Sequence, residues 1–427
     1  MALKWMGWLT LAALIAVNFW GCARVPGQAG SGAVPPGSEA QEPPNVDLTA
    51  PVDPKLVEAQ NRFGFELLAQ LQQEAPQENR VLSPLSVSMA LSMAQAGAAG
   101  ATLDAMKLTL NLEGMEVTAV NDAIATQIAI LEAADPDTQL ELANSLWARA
   151  GGIDLKPDFV DIAESAYRAE VQVLDFGQPS ALRTINSWVE RATAGKIPGI
   201  LDEISRDDVL FLLNAVYFKG AWQSPFDPNE TRQEPFYRTD GSTANRPLMT
   251  QSGDFSYTEG ENFQAVNLPY GNGRLSMVVV LPKTEAALAE LQAQLTADTW
   301  QQWRSEFSQR PGNLRLPRFQ MEYGVGLNEP LKDLGLGLAF DPDQADFSNL
   351  SDASTFISEV KHKTFIEVNE AGTEAAGATS IGISVTSAPI QPPLPFQMVV
   401  NRPFFIAIQD QVSGSILFMG WVMDPTS

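Results

Sequence analysis

Histidine is almost missing from this chain. Among 427 residues there is one, His362, and cysteine is equally scarce, with Cys22 alone. One thiol cannot form an internal disulfide or a cysteine-based metal cluster. One imidazole excludes every multi-histidine metal site, including the H-E-x-x-H arrangement. No Gly-rich phosphate loop with its lysine is present, and no nucleophile-elbow motif that would bring a serine to His362 for hydrolysis. Positive charge is thin as well: 27 Lys and Arg stand against 51 Asp and Glu, a formal net charge of −24, with no basic run. Nucleic acids and anionic membranes are held by clustered cations, so neither is an expected partner. The sequence thus points away from enzymes, and neither a cofactor nor a metal is expected. What it does have is 45% apolar residues, the normal complement of a globular protein with a sizeable core.

Three regions follow from composition. Residues 1–21 carry Lys4 and then an almost wholly apolar run from Trp5 to Trp20, slightly short for a comfortable membrane span. The run ends Asn18-Phe19-Trp20-Gly21-Cys22, which resembles a bacterial lipoprotein signal with Cys22 as the lipidation candidate. Trp20 and Phe19 depart from that pattern, so a retained anchor and ordinary secretion stay open; all three readings export the protein. Residues 22–54 are rich in Pro, Gly, Ala and Ser and cannot bury enough surface to fold, which makes them a linker. The folded body is expected over 55–427.

Within the body, helical spacing runs from Leu56 to Leu71. Ser83-Pro84 reads as an N-cap with proline at the first helical position, opening a helix from Leu85 to Ala98 that is apolar on all sides. Ser86 and Ser88 inside it need partners. Further helices are expected over Ala119–Ala133, Pro157–Ala169 and Leu182–Ala194. Strand signals follow. Val209 to Phe218 is an apolar run broken only by Asn214, a polar group that has to be hydrogen-bonded if the strand is buried. Gln264–Leu268 and Leu275–Leu281 pair through Gly271-Asn272-Gly273. Asn313–Gln320 and Thr355–Val360 add strands, and Phe404–Gln409 with Ser415–Val422 makes a C-terminal hairpin. Helices first and strands later favour an α+β fold.

One stretch is peculiar. From Thr373 to Thr386, residues Thr373, Ala375, Gly377, Thr379, Ile381, Ile383 and Val385 alternate with mostly polar neighbours, and the only charge is Glu374. The period is that of a strand. The Gly/Ala-rich first half is poor strand material. The stretch reads either as a surface loop or as a strand too weak to stand alone, held to join a sheet.

Several longer motifs share one resemblance. They are Asn79-Arg80-Val81-Leu82-Ser83-Pro84-Leu85-Ser86, Thr193-Ala194-Gly195-Lys196-Ile197, and Leu213-Asn214-Ala215-Val216-Tyr217-Phe218-Lys219-Gly220-Ala221-Trp222. Ala345-Asp346-Phe347-Ser348, Lys361-His362-Lys363, Asn401-Arg402-Pro403-Phe404 and Phe418-Met419-Gly420 complete the set. In this order they resemble the serpin family over about Lys55 to Pro425. The resemblance implies the serpin fold, with three β-sheets, eight or nine helices and an exposed reactive-centre loop. It implies a monomeric inhibitor of serine, occasionally cysteine, proteases. The protease cuts the loop, the acyl-enzyme is carried along as the loop inserts into the central sheet, and deacylation stalls. Fourteen residues from Thr373 to Thr386 would span roughly 46 Å at ~3.3 Å each.

Carried over residue by residue, the resemblance assigns a hinge to Glu370, Gly372, Thr373, Glu374, Ala375, Ala376, Gly377 and Ala378. It assigns a shutter to Ser83, Ser86, Asn214 and His362, and a breach to Trp222, Arg318 and Glu370 with an Arg318–Glu370 ion pair. The hinge count puts the reactive bond at Thr386–Ser387, within an open range of Ile383 to Ala388. Those residues are neutral and small or aliphatic, which points to elastase-like or subtilisin-like targets. The stretch resembling the family's heparin-binding helix, Val117 to Ala134, holds no Lys or Arg, so no heparin site is expected there. Non-inhibitory members act as binding or carrier proteins and often carry bulky or charged hinges. The inward-facing hinge positions here, Thr373, Ala375 and Gly377, are neither.

Overall fold

A computed structural model of the chain describes residues 51–136, 138–373 and 394–426. The expected targeting segment, most of the linker, Cys22, the hinge residues Glu374, Ala375, Ala376, Gly377 and Ala378, and the Thr386–Ser387 bond lie outside the described residues.

The first half of the body is mostly helical. It runs α1 (Pro54–Glu74), β1 (Arg80–Leu82), α2 (Pro84–Gly97), α3 (Gly100–Thr109), α4 (Val117–Glu132), β2 (Thr138–Arg149), α5 (Pro157–Tyr167), β3 (Glu170–Leu174) and α6 (Pro179–Ala192). The second half is mostly sheet. It runs β4 (Leu210–Ala221), β5 (Arg232–Tyr237), β6 (Thr243–Glu259), β7 (Phe263–Pro269), β8 (Leu275–Pro282), α7 (Ala286–Gln294), α8 (Ala297–Ser305), β9 (Ser308–Pro317), β10 (Phe319–Gly326) and the short α9 (Asn328–Leu331). β11 (Glu359–Asn369), β12 (Gly372–Thr373), β13 (Phe396–Val399), β14 (Phe404–Asp410) and β15 (Ile416–Val422) complete it.

Local chemistry explains the helices that carry the site. In α1 the Asp53 side chain accepts from the Lys55 amide at 2.9 Å, with Pro54 at the first turn. Its buried face presents Leu56, Phe63, Leu67, Leu68 and Leu71, each contributing about 1.5–3 kcal/mol by leaving water. In α2 the Ser83 hydroxyl accepts from the Ser86 amide at 3.3 Å, and every residue except Ala96 is buried. The sheet beneath explains that burial. β4 alternates between two apolar layers: Leu210, Leu212, Val216 and Phe218 join the main core with α2, while Phe211, Leu213 and Ala215 pack with Ile185, Trp188 and Val189 of α6. A strand covered on both faces must be apolar on both, which is why Val209–Phe218 reads as one continuous run.

The described strands form two hydrogen-bonded sheets. The larger has nine strands, ordered β1-β15-β14-β8-β7-β6-β9-β13 with β5 paired to β6. It consists of two halves that share the 17-residue strand β6, which pairs with β5 and β9 along most of its length and with β7 only at Ser256–Glu259. Counted as halves, these and the six-stranded sheet β10-β11-β12-β4-β2-β3 make the three expected sheets.

Two strand boundaries differ from the sequence reading. The strand expected over Thr355–Val360 begins at Glu359 and continues to Asn369, because Val360, His362, Thr364, Ile366 and Val368 are buried in alternation with Glu359, Lys361, Lys363 and Glu367, while Phe365 is buried in the second layer with Trp188. The run Asn313–Gln320 divides at Arg318: β9 belongs to the larger sheet and β10 to the smaller.

Candidate functional site

The smaller sheet has a seam. β4 and β11 pair in parallel over seven positions, Phe211 to Tyr217 against Glu359 to Phe365, while the neighbours β2–β4 and β10–β11 are antiparallel. Beyond Phe365 the two strands separate. Gly372 and Thr373 enter between them, pairing antiparallel with β4 (Thr373 with Gly220) and with β11 (Thr373 with Val368).

Five polar residues meet at the closed part of the seam. His362 and Asn214 are directly paired, and His362 Nδ1 lies 2.7 Å from Asn214 Oδ1. An amide oxygen only accepts, so Nδ1 carries the proton and Nε2 accepts from the Ser83 amide at 3.0 Å. Asn214 Nδ2 donates to Ser86 Oγ and, at 2.7 Å, to Asn144 Oδ1 on β2. Ser83, Ser86, Asn144, Asn214 and His362 are each no more than 1% exposed. Burial depresses the imidazole from 6.5 to about 3, so His362 is neutral, consistent with one donating and one accepting nitrogen. The network ties α2 to both walls of the seam, and a group left without its partner in such a setting is costly.

The open end of the seam holds the second cluster. Trp222 Nε1 donates to Asn369 O at 2.9 Å, and its amide donates to Ala371 O at 2.9 Å. Glu370 Oε1 accepts from Thr231 Oγ1 at 2.8 Å and lies 3.6 Å from Arg318 Nη1. The arginine is 44% exposed, so that ion pair adds little. Gly372 has φ +151°, and a Cβ there would lie 2.1 Å from Gly220 O, so only glycine fits. Thr373 is fully buried, its hydroxyl 2.6 Å from the Tyr270 hydroxyl.

The structure brings Ser83, Ser86, Asn214 and His362 together, and separately Trp222, Arg318 and Glu370. Sequence reasoning missed Asn144, Thr231 and Tyr270. Asn144 sits in β2, a strand with no clear signal. Tyr270 adjoins the Gly271-Asn272-Gly273 turn and looks like an ordinary loop aromatic.

Comparison with known proteins agrees with this architecture. The family model described as Serpin (serine protease inhibitor) matches residues 58–425. Serpin-Z2A of Triticum aestivum is 36% identical over 384 residues, 86% of this chain and 95% of that protein. Antithrombin-III of Mus musculus is 33% identical over 389 residues, 87% and 82% of the two chains. Among solved structures, the thermophilic serpin Tengpin in its native state superposes with a TM-score of 0.79 at 30% identity, covering 90% of this chain and 96% of that one. A thyroxine-binding globulin in complex with thyroxine gives the same TM-score at 27% identity, covering 87% of this chain and all of the other. With the seam, its polar network and a family match over nearly the whole body in hand, the chain belongs to the serpin family, whose members are mostly protease inhibitors and not enzymes.

Proposed function

We propose that this serpin is inhibitory and traps its protease by inserting the cut loop into the β4–β11 seam. The observation that carries the reading is the register of Gly372–Thr373, which are already strand residues between β4 and β11. Six residues further along each ladder, Thr373 becomes Thr379, Gly220 becomes Asn214 and Val368 becomes His362. An inserted strand in this register therefore sets Thr379 between the two residues that share the 2.7 Å hydrogen bond across the seam. A hydroxyl both donates and accepts, so it can replace the bond that its entry breaks. Residues of a strand that lie an even number apart share a face. Thr373, Ala375, Gly377 and Thr379 would thus all turn to the buried side, where the side chains are small and uncharged. Loop entry is intramolecular strand addition, driven by a fold that holds its free energy in reserve.

The carrier reading draws on the likeness to thyroxine-binding globulin, a protein solved with thyroxine. The small, uncharged inner face of the hinge favours inhibition. On this reading the scissile bond is Thr386–Ser387, the target is an elastase-like or subtilisin-like serine protease, and the protein works as a monomer. Export follows from the N-terminal segment, by a lipid anchor at Cys22 or otherwise by secretion. The test is incubation of the purified protein with such proteases. A complex that survives denaturing electrophoresis, with the new terminus at Ser387 by mass spectrometry, is expected. Clean loop cleavage without a complex across a broad protease panel would overturn the reading.

A further inference from the structure

Thr373 is held by a residue of the other sheet. Tyr270 directly follows β7, and its amide donates to Leu275 O at 2.9 Å across the turn to β8. Its side chain crosses to the open end of the seam, where its hydroxyl and Thr373 Oγ1 share a 2.6 Å hydrogen bond between two fully buried residues. The ring cannot swing away. Trp222 stacks on one face at 4.4 Å and 10°, and Phe218 meets it edge-on at 5.1 Å. The turn behind it is pinned by the Gly271 amide to Ala221 O at 2.9 Å and the Asn272 amide to Asp135 Oδ2 at 2.8 Å. Burial pushes the phenol upward, so it stays protonated.

β12 needs such a fixed point. Backbone pairing alone would allow a slip of two positions, which keeps every side chain on its own face. Such a slip would bring Ala371 to this site, and alanine has no hydroxyl. The buried Tyr270 hydroxyl would then have no partner, which buried polar groups rarely tolerate. Two contacts of β12 distinguish the registers: the close approach of Gly372 to Gly220 O, which bars any side chain there, and the Tyr270 bond, which alone selects a hydroxyl.

We propose that Tyr270 is a positioning residue for strand insertion. It is a clamped hydroxyl that selects a hydroxyl-bearing residue at position 373 and so sets the register in which the hinge enters the seam. This rests on the inhibitory reading only for its consequence, because the docking of Thr373 can be measured without a protease.

The experiment compares the full chain with Tyr270→Phe, Thr373→Val, the double variant and Thr373→Ser. Amide hydrogen exchange of the free protein is followed at Gly372 and Thr373. Tyr270→Phe keeps the ring stack and removes only the hydroxyl. Exchange there is expected to rise about fivefold, the size of one ordinary buried hydrogen bond. Thr373→Val gives the same rise, the double variant no more than either single one, and Thr373→Ser restores protection. With a protease, Tyr270→Phe lowers the ratio of trapped complex to cleaved product about fivefold, while the rate of the first cut stays unchanged. Unchanged exchange in Tyr270→Phe, or additive effects of the two single variants, would overturn the proposal. Should Tyr270→Phe not fold, the contrast between Thr373→Val and Thr373→Ser decides alone, and equal exchange in those two rejects it. If no protease is trapped yet the exchange effects couple, the inhibitory reading fails and the positioning role stands.

Discussion

The β14–β15 hairpin and the β4–β11 seam are both buried, central strand pairs, and they are built on opposite principles. In the hairpin every residue of both strands is buried, the side chains are almost all apolar, and the ladder is antiparallel. Even its glycine is fixed by contact: a Cβ on Gly420 would lie 1.8 Å from Arg80 O. The seam is parallel and crossed by a hydrogen bond between two polar side chains. Apolar packing ties a strand to one set of neighbours, because shape complementarity is lost on any shift. Hydrogen bonds can be handed to a new partner of the same chemistry. The hairpin is made to stay, and under the proposed insertion the seam's partners are the ones exchanged.

The sharpest way to break this contrast is Thr373→Arg. An arginine at this fully buried position would be an unpaired buried charge. The strand should be refused, and the stoichiometry of inhibition should rise by about an order of magnitude or more while the loop is still cut. Retained inhibition in a titration against an elastase-like protease would count against insertion at this seam.

The next effect belongs to the seam network. Asn214→Ala leaves His362 Nδ1 and Asn144 Oδ1 without their partner and should lower stability by about 2–4 kcal/mol in urea unfolding. A change within experimental error would mean that the network is ornamental. Its pH dependence follows from the direction of the His362 shift. The folded imidazole titrates near 3, below the 6.5 of an exposed group, so between those values the unfolded chain binds a proton that the folded one refuses. This contribution is complete above pH 6.5 and falls away as the pH drops, by up to about 1.4 kcal/mol per pH unit. Urea midpoints of His362→Gln should vary less between pH 6.5 and 4 than those of the parent; parallel profiles would show that His362 is not held neutral.

Gly420→Ala probes the other side of the comparison. The clash with Arg80 O calls for a loss of about 1–3 kcal/mol with no change in the ratio of complex to cleaved product. A changed ratio would show that the two regions are coupled. The smallest effect is expected for Arg318→Gln, about 0–1 kcal/mol, because the arginine is largely solvated. A larger loss in the same unfolding assay would move Arg318 into the group of structural anchors.

The parts of this fold that were legible in the sequence are those whose signal is local. Ser83-Pro84 announces α2, and the run from Val209 to Phe218 announces β4, because capping chemistry and two-sided burial leave marks within a few residues. β2 left no such mark. Its sequence, TQLELANSLWAR, is full of good helix formers, and tertiary pairing with β4 over eleven positions overrides that preference. β11 was misplaced because Glu359, Lys361, Lys363 and Glu367 make it read as a polar surface segment, although every second residue is buried. The same division holds at the site. Asn214 and Ser86 stood out as polar groups in apolar runs. Tyr270 did not, because its importance arises from a crossing between two sheets that no local pattern encodes.

Strand order in the smaller sheet gives the seam a mechanical character. On one side β10 and β11 are joined over eight positions and stapled by Lys363 to Glu322 at 2.6 Å. On the other, β2 and β4 are joined over eleven. Under the proposed insertion, an entering strand would meet two plates, as a tongue meets a groove whose walls are already braced from behind. The plates need to part by about one strand spacing, ~4.8 Å, and neither has to come apart internally. Each of the seven parallel pairs that closes the groove would be replaced by two antiparallel ones. Opening this joint ends with more backbone paired than before.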